Sequence, residues 1–295
     1  MKRIDLHIHT NLSDGELSPK EVIEEAFKNN VSVIAIADHD TIEAYSDEFY
    51  AYAESKNIKV INAVEISTKT NKATVHILGY NFDVKNKELV KELSLLRNAR
   101  HDYLHNVTKK LSELGYKLNL EKLDKIEAVT KAHIAEEIVT NKENEELLLK
   151  EFKRIPSRGD FIEAIMNEGC IAYVKKETIT PKEAVELIKK VGGKAILAHP
   201  VADEHGDNFT VEEIMNIVKE AGIEGLESNY IYLKNNVKIN ECDKWNKIAK
   251  ENNLITTIGS DFHKKDGVHP EIGLVNEEIN LSESEIEDTI RNLLS

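Results

Sequence analysis

Short apolar runs of strand length recur along the chain, separated by segments with the period of an amphipathic helix. The apolar runs lie at residues 3–8, 33–37, 58–64, 73–80, 195–199, 224–228 and 254–260. The helical segments between them lie at residues 19–30, 41–56, 181–191, 210–221 and 234–252. A strand followed by a helix, repeated, predicts parallel strands joined by crossover helices, and hence an α/β protein.

The alternation is interrupted between residues 85 and 194. Four charged, amphipathic segments in this stretch have helical period, at residues 86–114, 131–140, 143–153 and 159–168. We therefore predict a helical insertion, residues 85–168, that covers the active-site face of an α/β domain. That domain is formed by residues 1–84 and 169–295.

Side chains that bind metals stand at or near the end of nearly every predicted strand. They are His7 and His9, Asp38 to Asp40, Glu65, His76, His199, Glu227, and Asp261 with His263, and Asp14 follows in the first loop. Parallel α/β folds place their active sites at the carboxyl ends of the strands, and a barrel brings all these ends to one spot. Seven convergent strand ends are harder to arrange on an open sheet, so we predict a barrel.

Imidazole and carboxylate together suit zinc, manganese or iron ions. The predicted cluster holds more ligands than one ion can use, which indicates a site for two or three ions. Such sites generate a nucleophile from water at neutral pH and clamp the oxygens of a phosphoryl group.

Three aspartates near these ligands have other interpretations. Asp5 lies two residues before His7, on the same face of the strand, and we expect it to orient a ligand histidine. Asp38 is either a second partner of this kind or a buried, hydrogen-bonded carboxylate. Asp40, followed by Glu43, has the pattern of a helix N-cap.

The remaining histidines divide into three groups. His101 and His105 are four residues apart on a predicted helix and could share a metal, although a solvated helix face explains them as well. His205 and His269 lie in predicted loops and are expected at the surface. Spacing alone leaves His133 unassigned.

Composition narrows the function further. The 295 residues carry 39 Lys and Arg against 53 Asp and Glu, a net charge of −14. This balance argues against a protein whose whole surface binds nucleic acid or an anionic membrane. Phosphate chemistry would therefore need a local positive site, such as metal ions. The chain has two cysteines and neither a long apolar run nor a signal-peptide pattern, so we expect a cytoplasmic protein.

The motifs IDLHIHTNLSDGELSP, AIADHDT, VEIS, HILGY, AHP and GSDFH resemble those of the PHP (polymerase and histidinol phosphatase) family. The resemblance runs from Asp5 to about Val275 and implies a metal-dependent phosphoesterase. It also implies a distorted (β/α)7 TIM-like barrel with three divalent ions. The stretches SDGELSP, DHDT, LLRNARHDYLHNVTKKLSELG and KAHIAEEIV are similar to one branch of this family. That branch removes the 3′-phosphate of nucleoside 3′,5′-bisphosphates, and some members degrade short RNA in the 5′→3′ direction.

Position by position, the resemblance implies three groups of ligands. They are His7, His9, Glu65 and Asp261 for one ion, Glu65, His76 and His133 for a second, and Asp14, His39 and His263 for a third. The resemblance further implies that a hydroxide between the first two ions attacks phosphorus. His199 would lie beside the third ion or the phosphate and act in catalysis, with transfer of a proton to the leaving oxygen as one role.

Three arginines are candidates for binding the substrate phosphate, because a guanidinium group pairs with phosphate in a bidentate manner. They are Arg97, Arg100 and Arg158, and an exposed helix face is the other interpretation of the first two. The chain has Lys131 and Ala132 where the family usually has Arg-Pro before the ligand histidine. This departure bears on substrate preference and leaves the metal chemistry unaffected.

The expected partners are a small phosphorylated nucleotide or the 5′ end of a short RNA, with no membrane and no stable duplex. Within the same chemistry, histidinol phosphate is the alternative substrate. An amidohydrolase also uses a His-x-His pair but typically a carboxylated lysine as the bridging ligand, where this chain offers Glu65. A non-catalytic metal barrel would be expected to have lost ligands, and here every expected position is filled.

Overall fold

The computed structural model describes residues 3–124, 126, 129–175, 178–234, 237–265, 270–279 and 281–295. The chain divides into two compact units. The first contains Met1–Leu93 and Ile179–Ser295, and the second contains Ser94–Thr178. The domain boundaries predicted from the sequence, after residues 84 and 168, stay a prediction.

Ten β-strands occur among the described residues, all in the first unit. They are β1 (Arg3–Ile8), β2 (Val31–Ile36), β3 (Lys59–Val60), β4 (Ala63–Lys69), β5 (Thr74–Tyr80), β6 (Lys194–Leu197), β7 (Gly225–Asn229), β8 (Ile231–Lys234), β9 (Val237–Asn240) and β10 (Ile255–Ile258). Every predicted strand is confirmed, although the predicted strand 58–64 is divided between β3 and β4.

The predicted helical segments all contain helices. The helices among the described residues are α1 (Pro19–Lys28), α2 (Asp47–Ser55), α3 (Lys87–Glu113), α4 (Leu120–Asp124), α5 (Lys131–Thr140), α6 (Glu145–Phe152), α7 (Arg158–Phe161), α8 (Pro181–Lys190), α9 (Pro200–Gly206), α10 (Val211–Ala221), α11 (Cys242–Glu251), α12 (Val275–Glu278) and α13 (Glu283–Leu294). Four of these were not predicted, namely α4, α9, α12 and α13. Seven of the described helices begin at a Ser or Thr side chain that accepts a hydrogen bond from the first turn. A 3-10 helix (Lys142–Asn144) precedes α6, and a π-helical segment (Ile162–Met166) continues α7.

The strands form two main sheets and one hairpin. The first sheet has the parallel order β1-β2-β3, and the second has the order β10-β7-β6-β5-β4. In the second sheet β5 runs antiparallel to both of its neighbours. The prediction of an entirely parallel arrangement is therefore wrong at β5. Only residues 70–73 join β4 to β5, and such a short connection permits only antiparallel pairing.

The hairpin of β8 and β9 was not predicted. Residues 234–252 have the pattern of one amphipathic helix, but the structure starts α11 at Cys242 and uses the preceding residues for β9. The pair Asn235-Asn236, which lies outside the described residues, is the turn-type signal that the sequence offered.

Both main sheets contribute to one hydrophobic core. Leu6 and Ala35 of the first sheet pack in the same buried cluster as Leu78 and Ile196 of the second. Two isolated parallel bridges also link the sheets, one between Ile8 and Phe262 and one between His39 and Glu65. A second cluster packs α1 and α2 against β1 and β2. The second unit has a cluster of its own, built on α3, α5 and α7.

No helix among the described residues combines the length and the apolar character needed to cross a membrane.

The buried hydroxyl of Tyr45 joins the two sheets where regular strand pairing stops. It donates to the carbonyl of Ile36 and accepts from the backbone N–H of Ala63 at 2.7 Å. We predict that Tyr45→Phe leaves that N–H unsatisfied and lowers the free energy of unfolding by about 1–3 kcal/mol. Urea unfolding measures the change. Tyr52→Phe, at an exposed hydroxyl, is the control, and an equal effect of both variants would contradict this role.

Candidate metal centre

The donors of the centre come from both main sheets. His7 and His9 lie at the end of β1, His39 follows β2, Glu65 lies in β4, His76 in β5, and His199 follows β6. Asp261 and His263 follow β10, and Asp14 lies in the loop after β1. The structure thus brings together all of the predicted ligands that belong to the first unit.

The reversed direction of β5 explains how His76 reaches the centre although it lies near the start of its strand. In an antiparallel strand the start lies at the edge where the parallel strands end. Glu65 pairs with Leu78 across the β4–β5 ladder, which makes His76 the diagonal neighbour of Glu65 on the same face. The Nδ1 atom of His76 lies 2.9 Å from Oε1 of Glu65.

Glu65 is buried, and its two oxygens face different histidines. Oε2 lies 3.5 Å from Nε2 of His7, 3.3 Å from Nε2 of His9 and 3.1 Å from Nδ1 of His39. Oε1 faces His76 and also His199, whose Nε2 lies 3.3 Å away. One carboxylate therefore lies between two sets of imidazole rings.

Asp261 faces the His7–His9 pair from the end of β10. Its Oδ1 lies 3.1 Å from Nε2 of His9 and 3.4 Å from Nε2 of His7. The hydroxyl of Tyr230 donates to Oδ2 at 3.4 Å. The backbone of Asp261 is left-handed, with φ of 52°, a conformation that costs a non-glycine residue free energy and is common at functional sites.

Asp14 faces the other side of His9. Its carboxylate oxygens lie 3.4 Å from Nδ1 of His9, 3.6 Å from Nε2 of His39 and 3.4 Å from Nε2 of His263. The loop that carries Asp14 is fixed by Asp38, which accepts hydrogen bonds from Thr10 and Ser13.

In this centre the described residues form three groups of donor atoms, and the atoms of each group lie within 4.8 Å of one another. They are His9 with Asp14, His39 and His263; His7 with His9 and Asp261; and His39 with Glu65 and His76.

The atoms of these groups fit bound cations better than they fit one another. Nε2 of His7 and Nε2 of His9 face each other at 3.1 Å, where at most one of the two nitrogens can donate. Among the described residues, Nδ1 of His39, Oε1 of Glu65 and Nδ1 of His76 are buried without a hydrogen bond of acceptable geometry. Imidazole nitrogens and carboxylate oxygens are ligands for zinc, manganese and iron.

The charges of the centre are strongly coupled. Burial lowers the pKa of His9, but hydrogen bonds to Asp261 and Glu65 outweigh it and raise the pKa to about 10. Burial also lowers the pKa of His199, but the nearby carboxylates of Glu65 and Asp261 outweigh it and raise the pKa to about 9. Burial raises the pKa of Glu65, yet the charges of the surrounding histidines hold it well below its usual value. Burial prevails at His39 and lowers its pKa to about 3.

Two buried residues, one in β7 and one directly after it, belong to the site but were given no specific role from the sequence. Glu227 contacts Nδ1 of His7 with both oxygens, at 3.0 and 3.1 Å. Tyr230 lies against the ring of His199, with 5.5 Å between ring centroids, and contacts Asp261. The position of Glu227 at a strand end was the available signal.

Two predictions about the nearby aspartates are changed by the structure. Asp5 contacts no ligand ring among its described hydrogen bonds; it accepts from the backbone N–H groups of His7, Ser260 and Gly273. A shift in the β1–β2 register between Asp5 and Ile8 accompanies this difference. The prediction that Asp40 caps a helix is wrong, since α2 begins seven residues later, at Asp47, with Ser46 as its cap.

Four predicted site residues belong to the second unit. Thr130 donates its backbone N–H to Nδ1 of His133 at 3.1 Å, so the neutral ring carries its proton on Nε2. Arg97 is half-buried on α3, Arg158 is exposed at the start of α7, and Arg100 is only 2% exposed. The exposed-face interpretation is therefore wrong for Arg100. The metal and phosphate roles of all four stay predictions.

His101, His105 and His205 belong to none of these three donor groups. His101 and His105 face Asp124, at 3.7 and 3.2 Å. His205 lies in α9 and not in a loop, and together with Glu204 and Glu241 it forms a fourth group of possible donors. Lys244 pairs with both of these carboxylates, at 2.5 and 2.7 Å, and already supplies their positive charge. His269 lies outside the described residues.

The sequence of this chain matches one family model. Residues 5–194 match the PHP domain.

Two curated proteins are similar over nearly the whole chain. A 5′-3′ exoribonuclease of Haemophilus influenzae is 31% identical over 265 residues, which span 89% of this chain and 90% of that protein. A 3′,5′-nucleoside bisphosphate phosphatase of Chromobacterium violaceum is 27% identical over 89% of this chain and 88% of that protein.

A crystal structure from Bifidobacterium adolescentis, described as a metal-dependent phosphoesterase, shares the fold. It superposes with a TM-score of 0.72 at 22% identity and covers 99% of this chain and 96% of that one.

We predict that metal binding at pH 7 releases protons. The pKa of His9 is about 10 without a cation, so this ring is protonated at pH 7 and must lose a proton to bind an ion. Calorimetric titration of metal-free protein with zinc, in buffers of different ionisation enthalpy, measures the number released. The apparent affinity should fall as the pH falls. Binding without proton release would show that the rings are neutral before the ion arrives.

Proposed function

The chain belongs to the PHP family, and we propose that it is a metal-dependent phosphoesterase that removes the 3′-phosphate of nucleoside 3′,5′-bisphosphates. The same centre is proposed to trim short RNA with a 5′-phosphate, because both reactions hydrolyse a phosphoester. The similar proteins from Chromobacterium and Haemophilus carry these two names. Nothing in the comparisons favours histidinol phosphate as the substrate.

The observation that supports this proposal most directly is that donor side chains from both sheets surround Glu65. Its oxygens are surrounded by imidazole nitrogens at 2.9 to 3.5 Å, and Asp14 and Asp261 add carboxylates on either side of His9. This donor set provides more ligands than one ion requires. We propose three divalent ions, of manganese, iron or zinc.

The first ion is assigned to His7, His9, Glu65 and Asp261, and the third to Asp14, His39 and His263. The second is assigned to Glu65 and His76, with one further histidine. The contact of His199 with Glu65 Oε1 supports His199 in this place, beside His76. The capping contact of His133 Nδ1 with Thr130 disfavours the ligand role that the family resemblance implies for His133.

Divalent ions bound here would lower the pKa of a water molecule and neutralise the charge of the phosphoryl oxygens. The protein's own groups would hold and orient the reactants. His7, His9 and Glu65 are buried, which limits the access of bulk water to this part of the centre. With His199 assigned to the second ion, the proton for the leaving oxygen is assigned to a water molecule at the centre.

A bisphosphate has a second phosphate that the ions need not bind. We propose that Arg97, Arg100 and Arg158 provide its binding site, as the family resemblance implies. The net charge of −14 makes such local positive groups necessary for an anionic substrate.

We further propose that the two sheets form one distorted (β/α)7 barrel. Their common hydrophobic core and the two bridges between them support it. The free thiols of Cys170 and Cys242 are compatible with the cytoplasmic location expected from the sequence.

The substrate assignment is tested by phosphate release from manganese-loaded protein. Nucleoside 3′,5′-bisphosphate and short 5′-phosphorylated RNA should be hydrolysed much faster than histidinol phosphate. We predict that Asp261→Asn lowers kcat/KM by more than about 100-fold, because it removes a side chain assigned as an ion ligand. Substitution of a residue that only contacts a ligand typically costs about 10–100-fold. Asp243→Asn, at an exposed position of α11, is the control and should keep full activity. Preferential hydrolysis of histidinol phosphate would refute the substrate assignment.

The choice between His199 and His133 is tested by ion content. We predict that His199→Ala binds fewer ions per chain than the wild type, because a donor beside Glu65 is lost, whereas His133→Ala keeps the wild-type content. Elemental analysis after dialysis measures both. Loss of an ion from His133→Ala alone would restore the ligand assignment implied by the family.

A further inference from the structure

Glu227 is a buried carboxylate that has no role in the function proposed for the centre. It lies in β7 and is 1% exposed. Its two oxygens lie 3.0 and 3.1 Å from Nδ1 of His7, and Oε2 also accepts the backbone N–H of His199 at 2.9 Å. One side chain thus contacts donors that come from the ends of two different strands.

We propose that Glu227 is a positioning residue that holds His7 and His199 in the orientations that ion binding requires. The inference rests on the proposed metal-dependent function, and it assigns to Glu227 a task in assembling the centre.

The contact with His7 determines which ring nitrogen faces the centre. An ionised carboxylate only accepts hydrogen bonds, so Nδ1 of His7 must carry a proton to donate to Glu227. The opposite nitrogen, Nε2, is then the one that can bind an ion. It faces Asp261 at 3.4 Å and Glu65 at 3.5 Å. A carboxylate behind a ligand histidine fixes the ring and raises its basicity.

The contact with His199 stabilises an unusual backbone. His199 has φ of 25° and ψ of 59°, in the left-handed region, and it directly precedes Pro200 at the start of α9. A non-glycine residue keeps such a conformation only where its surroundings enforce it. The hydrogen bond from its N–H to Glu227 is one such restraint, and it keeps the imidazole of His199 beside Glu65.

The space around Glu227 is fitted to this arrangement. A Cβ atom at Gly259, just after β10, would overlap both Oε1 of Glu227 and Cβ of His7. The absence of a side chain at Gly259 therefore allows the end of β10 to approach the Glu227–His7 pair closely.

The test compares Glu227→Gln with Glu224→Gln. Glutamine has the same shape as glutamate, but its terminal NH2 group cannot accept a hydrogen bond. It therefore cannot accept hydrogen bonds from His7 and His199 with both terminal atoms. Glu224 is a matched control, since it also accepts a backbone N–H, that of Ala195 at 3.2 Å, and contacts no histidine in the described structure. We expect Glu227→Gln to weaken zinc binding by about 10–100-fold in competition with a chelator. Glu224→Gln should bind zinc like the wild type, and equal affinities for the two variants would overturn the proposal.

A second measurement uses the wild type and does not depend on the folding of a variant. In zinc-loaded protein, ¹⁵N NMR of the histidine rings should show a protonated Nδ1 and an unprotonated Nε2 at His7. A proton on Nε2 of His7 would overturn the proposal even if Glu227→Gln fails to fold. Neither measurement requires turnover. A failure to release phosphate would refute the proposed function, whereas zinc affinity and the NMR signals of His7 decide the role of Glu227.

Discussion

The structure depends on how the charge of Glu65 is compensated. The carboxylate is buried, and an ionised carboxylate without a partner in such a place costs several kcal/mol. Its partners are imidazole rings from β1, from the end of β2, from β5 and from the end of β6. The same strand arrangement that buries Glu65 must therefore also bring the donors together, so the requirements of folding and of ion binding coincide.

The sequence was sufficient for the parts of the fold that follow from local periodicity. The strands, the amphipathic helices and the polar residues at strand ends are visible in a pattern of two or 3.6 residues. The direction of β5 and the β8–β9 hairpin depend on how short connections restrict pairing, which periodicity does not encode. The role of Glu227 was missed for a related reason, because a carboxylate inside a buried strand reveals its partner only when distant strands are assembled.

The sequence also did not predict the left-handed backbone conformation at three positions near the centre. Asp40, His199 and Asp261 all have left-handed backbones although none is a glycine, and all three follow strands of the two main sheets. Each such residue costs of order 1–3 kcal/mol, which the surrounding structure must offset. The N-cap predicted at Asp40 was wrong because that residue lies in such a turn, with its side chain accepting the backbone N–H of Ser67.

The donors extend from His7 to His263, and thus connect the beginning of the first unit with the segment near its end. A cation held by residues so far apart in sequence closes a long loop of the chain, much as a covalent cross-link does, and so lowers the entropy of partly opened states. Because His9 and His39 each belong to two donor groups, loss of one ion would loosen the next. Ion release and unfolding of the first unit should therefore occur as one cooperative transition.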